Sequence, residues 1–99
     1  MKTQHPSSAF AFDSTDSREC FEKYGIDFVA AQELWNGPVL IRQASLAGEA
    51  ASVVGMIGDK HWTVSTHFKN MKAHIQSVRP SDDEEVLQYK QFLDSINAS

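Results

Sequence analysis

Between Lys60 and Arg79 the chain carries the cations Lys60, Lys69, Lys72 and Arg79 and the imidazoles His61, His67 and His74. No Asp or Glu falls among them. Imidazoles exchange protons near neutral pH. A guanidinium grips a pair of phosphate oxygens through parallel N–H donors. Gathered on one surface, such groups hold a phosphodiester and move its protons. The chain as a whole points the other way, with a formal net charge of -4. That balance argues against a general polyanion binder and confines any such role to a local patch.

Two strands are needed to gather these groups. Alternation predicts one over Lys60 to Lys69, with Trp62, Val64, Thr66 and Phe68 on one face. His61, Thr63, Ser65 and His67 take the other face. A second strand is predicted over Lys72 to Arg79, ended by Pro80, which lacks a ladder donor. With Asn70-Met71 as a two-residue turn, His67 faces His74, Ser65 faces Gln76 and Lys69 faces Lys72. Directly opposed residues have Cβ atoms about 5 Å apart, and opposed lysines repel. An anion between them offsets that repulsion. In this reading His67 and His74 act as base and acid, and Arg79 clamps a phosphate. The same pattern also describes a solvated strand face with incidental His and Lys. A metal held by His67 and His74 lacks a third ligand at suitable spacing, so no metal and no cofactor are expected.

The remaining elements follow from local signals. At 99 residues one domain is expected, and 41% hydrophobic with 22% charged residues suits a soluble globular chain. No apolar run reaches membrane-span length, and MKTQHPSS has no apolar signal core. Residues 1–9 read as a loose tail and 10–97 as the domain. Cys20 stands alone, which fits a reducing, cytoplasmic setting and a small buried side chain. Phe10 and Phe12 suggest a short strand. Asp13 caps a helix to about Tyr24, closed by Gly25. Asp27 caps another to about Trp35, stopped by Asn36-Gly37-Pro38. Val39 to Arg42 and Ser52 to Ile57 read as strands, with a loop over Ala44 to Ala51 and a turn at Gly58-Asp59. Ser81 with Glu84, or Asp82 with Glu85, offers a capping box for a last helix carrying Val86, Tyr89, Leu93 and Ile96 in one stripe. The expected class is α+β: N-terminal helices, an antiparallel sheet of about four strands and a C-terminal helix, with the helices on one sheet face.

Several of these strings resemble a known family. Phe10-x-Phe12-Asp13, a helix ending Lys23-Tyr24-Gly25, then Ile26-x-Phe28-x-x-Ala31 and Gly37-Pro38 come in its order. The late string IQSVRPSDDEEVLQY, Ile75 to Tyr89, carries the most specific match. The chain here resembles the BrnT family, bacterial ribonuclease toxins of BrnT/BrnA type II toxin–antitoxin pairs, over about Phe10 to Tyr89. The resemblance implies an α+β fold related to RelE-like toxins, RNA cleavage without a metal, and inhibition by a BrnA-like antitoxin. It points to Arg79, Glu85 and Tyr89 as site residues, with His74 where the family has an Arg. It departs in the first helix, where Asp16, Cys20 and Tyr24 replace the family's Lys, Asn and His and only Lys23 and Gly25 remain. Glu49 is followed by Ala50 and Ala51 where an Arg-Trp pair is usual.

Three functions are therefore in view. One is a toxin-like ribonuclease with Arg79, His74, His67, Glu85 and Tyr89 as catalytic groups and Lys69, Lys72 and Lys23 on RNA. The second is a catalytically weakened relative that binds a protein partner through an apolar groove near Trp35 or Trp62; a homodimer is in view independently of either reading. A third, a binding module, would pair its exposed hairpin edge with a partner strand. The three residues that the resemblance points to each also have a plain structural role: Glu85 in a capping box, Tyr89 in the core, Arg79 paired with Asp82 or Asp83.

Overall fold

Asp13 and Asp27 begin the first two helices as side-chain caps. Asp13 Oδ1 accepts from the Thr15 and Asp16 N–H groups at 2.8 and 3.2 Å, and Asp27 Oδ1 from Ala30 at 2.8 Å. In the computed structural model, which describes residues 10–43, 50–69 and 72–97, these helices are α1 (Ser14–Tyr24) and α2 (Phe28–Ala31). A 3-10 segment, Gln32–Asn36, prolongs α2. Gly25 closes α1 at φ 78°, a left-handed conformation that strains other residues. The Ser17 hydroxyl accepts the Phe28 N–H at 2.9 Å and ties the two helices together.

The strands are β1 (Phe10–Ala11), β2 (Leu40–Gln43), β3 (Ala50–Ile57), β4 (Lys60–Lys69) and β5 (Lys72–Pro80), and α3 (Asp83–Asn97) follows. They form one sheet in the order β1-β5-β4-β3-β2. The class is α+β, as the sequence implies. The sheet has five strands rather than about four, and it is mixed: β1 runs parallel to β5, pairing Phe10 with Ala73 and Ala11 with His74. β3 begins at Ala50, two residues before the expected start, because Ala50 and Ala51 pair with His67 and Thr66. The expected turn at Asn70-Met71, residues 44–49 of the expected loop and the tail lie outside the described residues.

Alternation divides the sheet into two faces. One holds Val53, Trp62, Val64, Ile75 and Val78, which pack with Phe28, Ala31, Leu34 and Cys20 into the core beneath α1 and α2. α3 lies against the opposite face, where Tyr89 stacks edge-on against His61 with ring centroids 5.6 Å apart. The helices therefore cover both faces, not one. Trp62 is buried and Trp35 packs edge-on against Phe10, so neither lines an exposed apolar groove.

The β4–β5 register carries the decisive detail. Lys69 pairs with Lys72 and His67 with His74, as the two-residue turn predicts, but Ser65 pairs with Ser77, not with Gln76. Gln76 is the extra residue of a β-bulge. Ile75 before it and Val78 after it both point to the core, which strict alternation forbids. The bulge turns Arg79 onto the same face as His74. Without it the two would lie on opposite faces.

Candidate functional site

Three rows cross the sheet on the face opposite the core. Arg79 and Thr63 form one, beside Val54 and Leu40. Ser77, Ser65, Ser52 and Arg42 form the next, and His74, His67 and Ala50 the third. Consecutive rows are two residues apart, about 7 Å along the strands. Lys72 follows the third row, exposed; the Lys69 side chain lies outside the described residues. Strands β2 to β5 contribute no Asp or Glu to this surface.

α3 covers the first row through one carboxylate. The expected capping box forms with Asp82: Glu85 N–H donates to Asp82 Oδ1 at 2.8 Å, and Asp82 N–H donates to Glu85 Oε1 at 2.9 Å. Ser81 bonds instead to the Thr63 hydroxyl at 2.7 Å. Thr63 donates its single proton to Glu85 Oε1 at 3.0 Å, so Ser81 is the donor to Thr63. Arg79 reaches Glu85 with two parallel donors, Nη1 to Oε1 at 2.8 Å and Nη2 to Oε2 at 2.7 Å. The partner of Arg79 is thus Glu85, in place of the expected Asp82 or Asp83. Arg42 Nη1 stands 3.7 Å from Oε2. The Arg79 guanidinium holds the Glu85 carboxyl at about 2, against the opposition of burial, with help from the Asp82 N–H and the Thr63 hydroxyl. The same hydrogen bonds raise Arg79 further.

This geometry sorts the sequence-predicted residues. Glu85, 5% exposed, has both oxygens committed and stays ionised at neutral pH, so it is no proton carrier. Tyr89, 2% exposed, donates its hydroxyl to the Pro38 carbonyl at 2.7 Å, and burial pushes its pKa up. Both fix α3 to the sheet. Arg79 lies on the histidine face, but its row is about 13 Å from theirs and its guanidinium is turned toward α3. His67 and His74 are brought together, half-buried and directly opposed. Lys23 lies on α1 at the β5 edge of the rows. It lines an open cleft of about 320 Å³ between α1 and β5, with Asp16, Glu19, Tyr24, Ser77 and Arg79.

Sequence reasoning missed Arg42 and the three serines. The signal exists only in the β2–β3 pairing, which sets Arg42 beside Ser52. It also missed an acidic rim: Asp13 and Asp16 share an open cleft of about 610 Å³ with His74 and Gln76. Among the described residues no group of His, Cys, Asp and Glu is placed to hold a metal ion. Cys20 donates to the Val78 carbonyl at 3.5 Å, and burial raises its pKa, so it behaves as a core side chain. No described helix is long and apolar enough to cross a membrane. No protein-family model matches the chain, nor does any curated protein or solved structure.

Proposed function

We propose that this domain is a toxin-like ribonuclease of a type II toxin–antitoxin pair, kept inactive by a BrnA-like antitoxin that covers the serine and histidine rows. The observation that carries the reading is the opposition of His67 and His74 on an open surface whose strands supply cations and hydroxyls but no acid. One imidazole takes the proton of an RNA 2′-hydroxyl, whose oxygen attacks the adjacent phosphorus. The other gives a proton to the departing 5′-oxygen as the P–O5′ bond breaks. The products are a 2′,3′-cyclic phosphate and a free 5′-hydroxyl. Two imidazoles about 5 Å apart at Cβ can serve both ends of this displacement at neutral pH.

The test is expression of the chain alone in a bacterial host, with cleavage of purified RNA followed in vitro. Growth arrest and cyclic-phosphate ends are expected. His67→Ala and His74→Ala should each lower the cleavage rate by about 10²- to 10⁴-fold with melting temperatures little changed. If the unmutated protein neither cleaves RNA nor slows growth, the ribonuclease reading fails.

A specific observation favours the second reading, a weakened relative that binds a protein. The three residues that the BrnT resemblance points to, Arg79, Glu85 and Tyr89, are all engaged in holding α3, and Asp13 and Asp16 flank His74. Tight binding of an antitoxin-like protein by a chain inert toward RNA would decide for it.

A further inference from the structure

We infer that Arg42 forms a phosphate-binding subsite with Ser52, Ser65 and Ser77, between the histidine pair and α3, and that its ligand is the backbone of single-stranded RNA. The inference rests on the RNA-directed reading above and names the residues that hold the strand.

Several observations converge on this row. Arg42 lies level with Ser52, which lies level with Ser65, which lies level with Ser77, so one guanidinium and three hydroxyls span four strands. The serine hydroxyls carry no hydrogen bond among the described residues, so they remain available to an oxyanion. The Arg42 side chain is 39% exposed, and its 3.7 Å approach to Glu85 is an ion pair too long for a hydrogen bond. Its N–H donors make no hydrogen bond among the described residues, which leaves them available to a ligand. Glu85 holds the guanidinium over the sheet without neutralising the row, because the same carboxylate is already matched by Arg79.

Charge decides the occupant. The rim along β5 sets three acids, Asp13, Asp16 and Glu19, against the amine of Lys23, while Arg79 beside them is already matched by Glu85. A polyanion that reaches the histidines is repelled from that rim and drawn across the sheet toward β2, where Arg42 waits about 7 Å from the histidine row. A phosphate in the serine row therefore neighbours the one at His67 and His74 along the same strand. Neutral hydroxyls beside one part-exposed cation suit a phosphodiester, which needs donors from several directions and presents no planar carboxylate for a second arginine to grip.

The test uses a fluorescein-labelled oligouridylate and the full chain carrying His67→Ala and His74→Ala, so that binding is read without cleavage. Affinity is measured across a salt series. Arg42→Gln should flatten the plot of log affinity against log salt by about 0.7, one phosphate contact on a single strand, and weaken binding at low salt. Arg42→Lys keeps the charge and should keep the slope. Circular dichroism and melting establish that each variant is folded. An unchanged slope in Arg42→Gln, loss of slope in Arg42→Lys, or no binding by the parent at low salt overturns the subsite. Cleavage by the unmutated chain is scored separately. A flattened slope without cleavage keeps the subsite and removes the ribonuclease; cleavage with an unchanged slope does the reverse.

Discussion

The two faces of the sheet come from the same strands and have opposite characters. Beneath α1 and α2, alternate residues of β3, β4 and β5 are Val53, Trp62, Val64, Ile75 and Val78, all nearly water-free. Their immediate neighbours on the other face are Ser52, Ser65, His67, His74 and Ser77, half-buried or exposed. Stability is concentrated on the first face, where apolar area leaves water. The second face is held by α3 at one end, through Glu85 and Tyr89, and among the described residues no element covers the other. A surface that the fold does not need for its core is free to carry imidazoles, hydroxyls and a guanidinium. The residues that anchor α3 lost that freedom, since their donors and acceptors are already matched.

Val78→Asp should break this division most severely. Val78 is 3% exposed in the core with Val53 and Val64, and a carboxylate there has apolar neighbours, a charge burial costing several kcal/mol. The variant should lose its cooperative thermal transition and its amide chemical-shift dispersion. Deleting Gln76 should do far less. It removes only the extra residue, so Ile75, Ser77, Val78 and Arg79 alternate as in a regular strand and each keeps its face. A deletion variant without an ordinary melt would mean that the bulge itself is needed for the fold.

The next effect concerns the covered end of the second face. Glu85→Gln removes the countercharge of Arg79, with an expected loss of about 2 kcal/mol, less than for a fully buried pair because Arg79 is 43% exposed. The pH dependence should change with it. The Glu85 carboxyl sits at about 2 in the folded protein, against an ordinary value of 4.5, so the folded state favours its ionised form. This contribution is present in full above about pH 4.5 and is lost as the pH falls toward 2. Urea unfolding of the parent should show stability falling across that window, and Glu85→Gln should show a shallower fall. Equal slopes would place the acid sensitivity in other carboxylates.

These two residues also mark how far the sequence could be read. The caps at Asp13, Asp27 and Asp82, the Gly25 stop and the His67–His74 opposition were all legible, because each depends on neighbours within a few positions or on one turn length. The pairing of Arg79 with Glu85 was not, since both residues had sufficient local explanations and only the fold of α3 onto the sheet joins them. Nor was the parallel pairing of β1, which is fixed by contacts some 60 positions away in the chain. The bulge did leave a trace. Ile75 and Val78 are apolar with two polar residues, Gln76 and Ser77, between them, a break in the period of two that a regular strand does not make. Followed through, that break alone would have moved Arg79 to the histidine face and Ser77 opposite Ser65. Arg42 left no such trace, because its neighbours lie on a strand separated from it by residues 44–49.

The smallest expected effect is the sharpest test of the comparison. Ser65 lies between Ser52 and Ser77 at the centre of the open face, while its chain neighbours Val64 and Thr66 are buried, at 0% and 1% exposure. Val64→Ala would remove apolar volume from the core and cost about 1–3 kcal/mol. Ser65→Ala removes a hydroxyl that has no partner among the described residues, so unfolding free energy should stay within about 0.5 kcal/mol of the parent. RNA affinity should nevertheless fall, because a hydrogen bond to a charged phosphate contributes about 1.5–3 kcal/mol. A substitution silent in the melt and visible in binding is what a surface released from structural duty requires. A Ser65→Ala protein that melts early and binds unchanged would mean that this face, too, is structural.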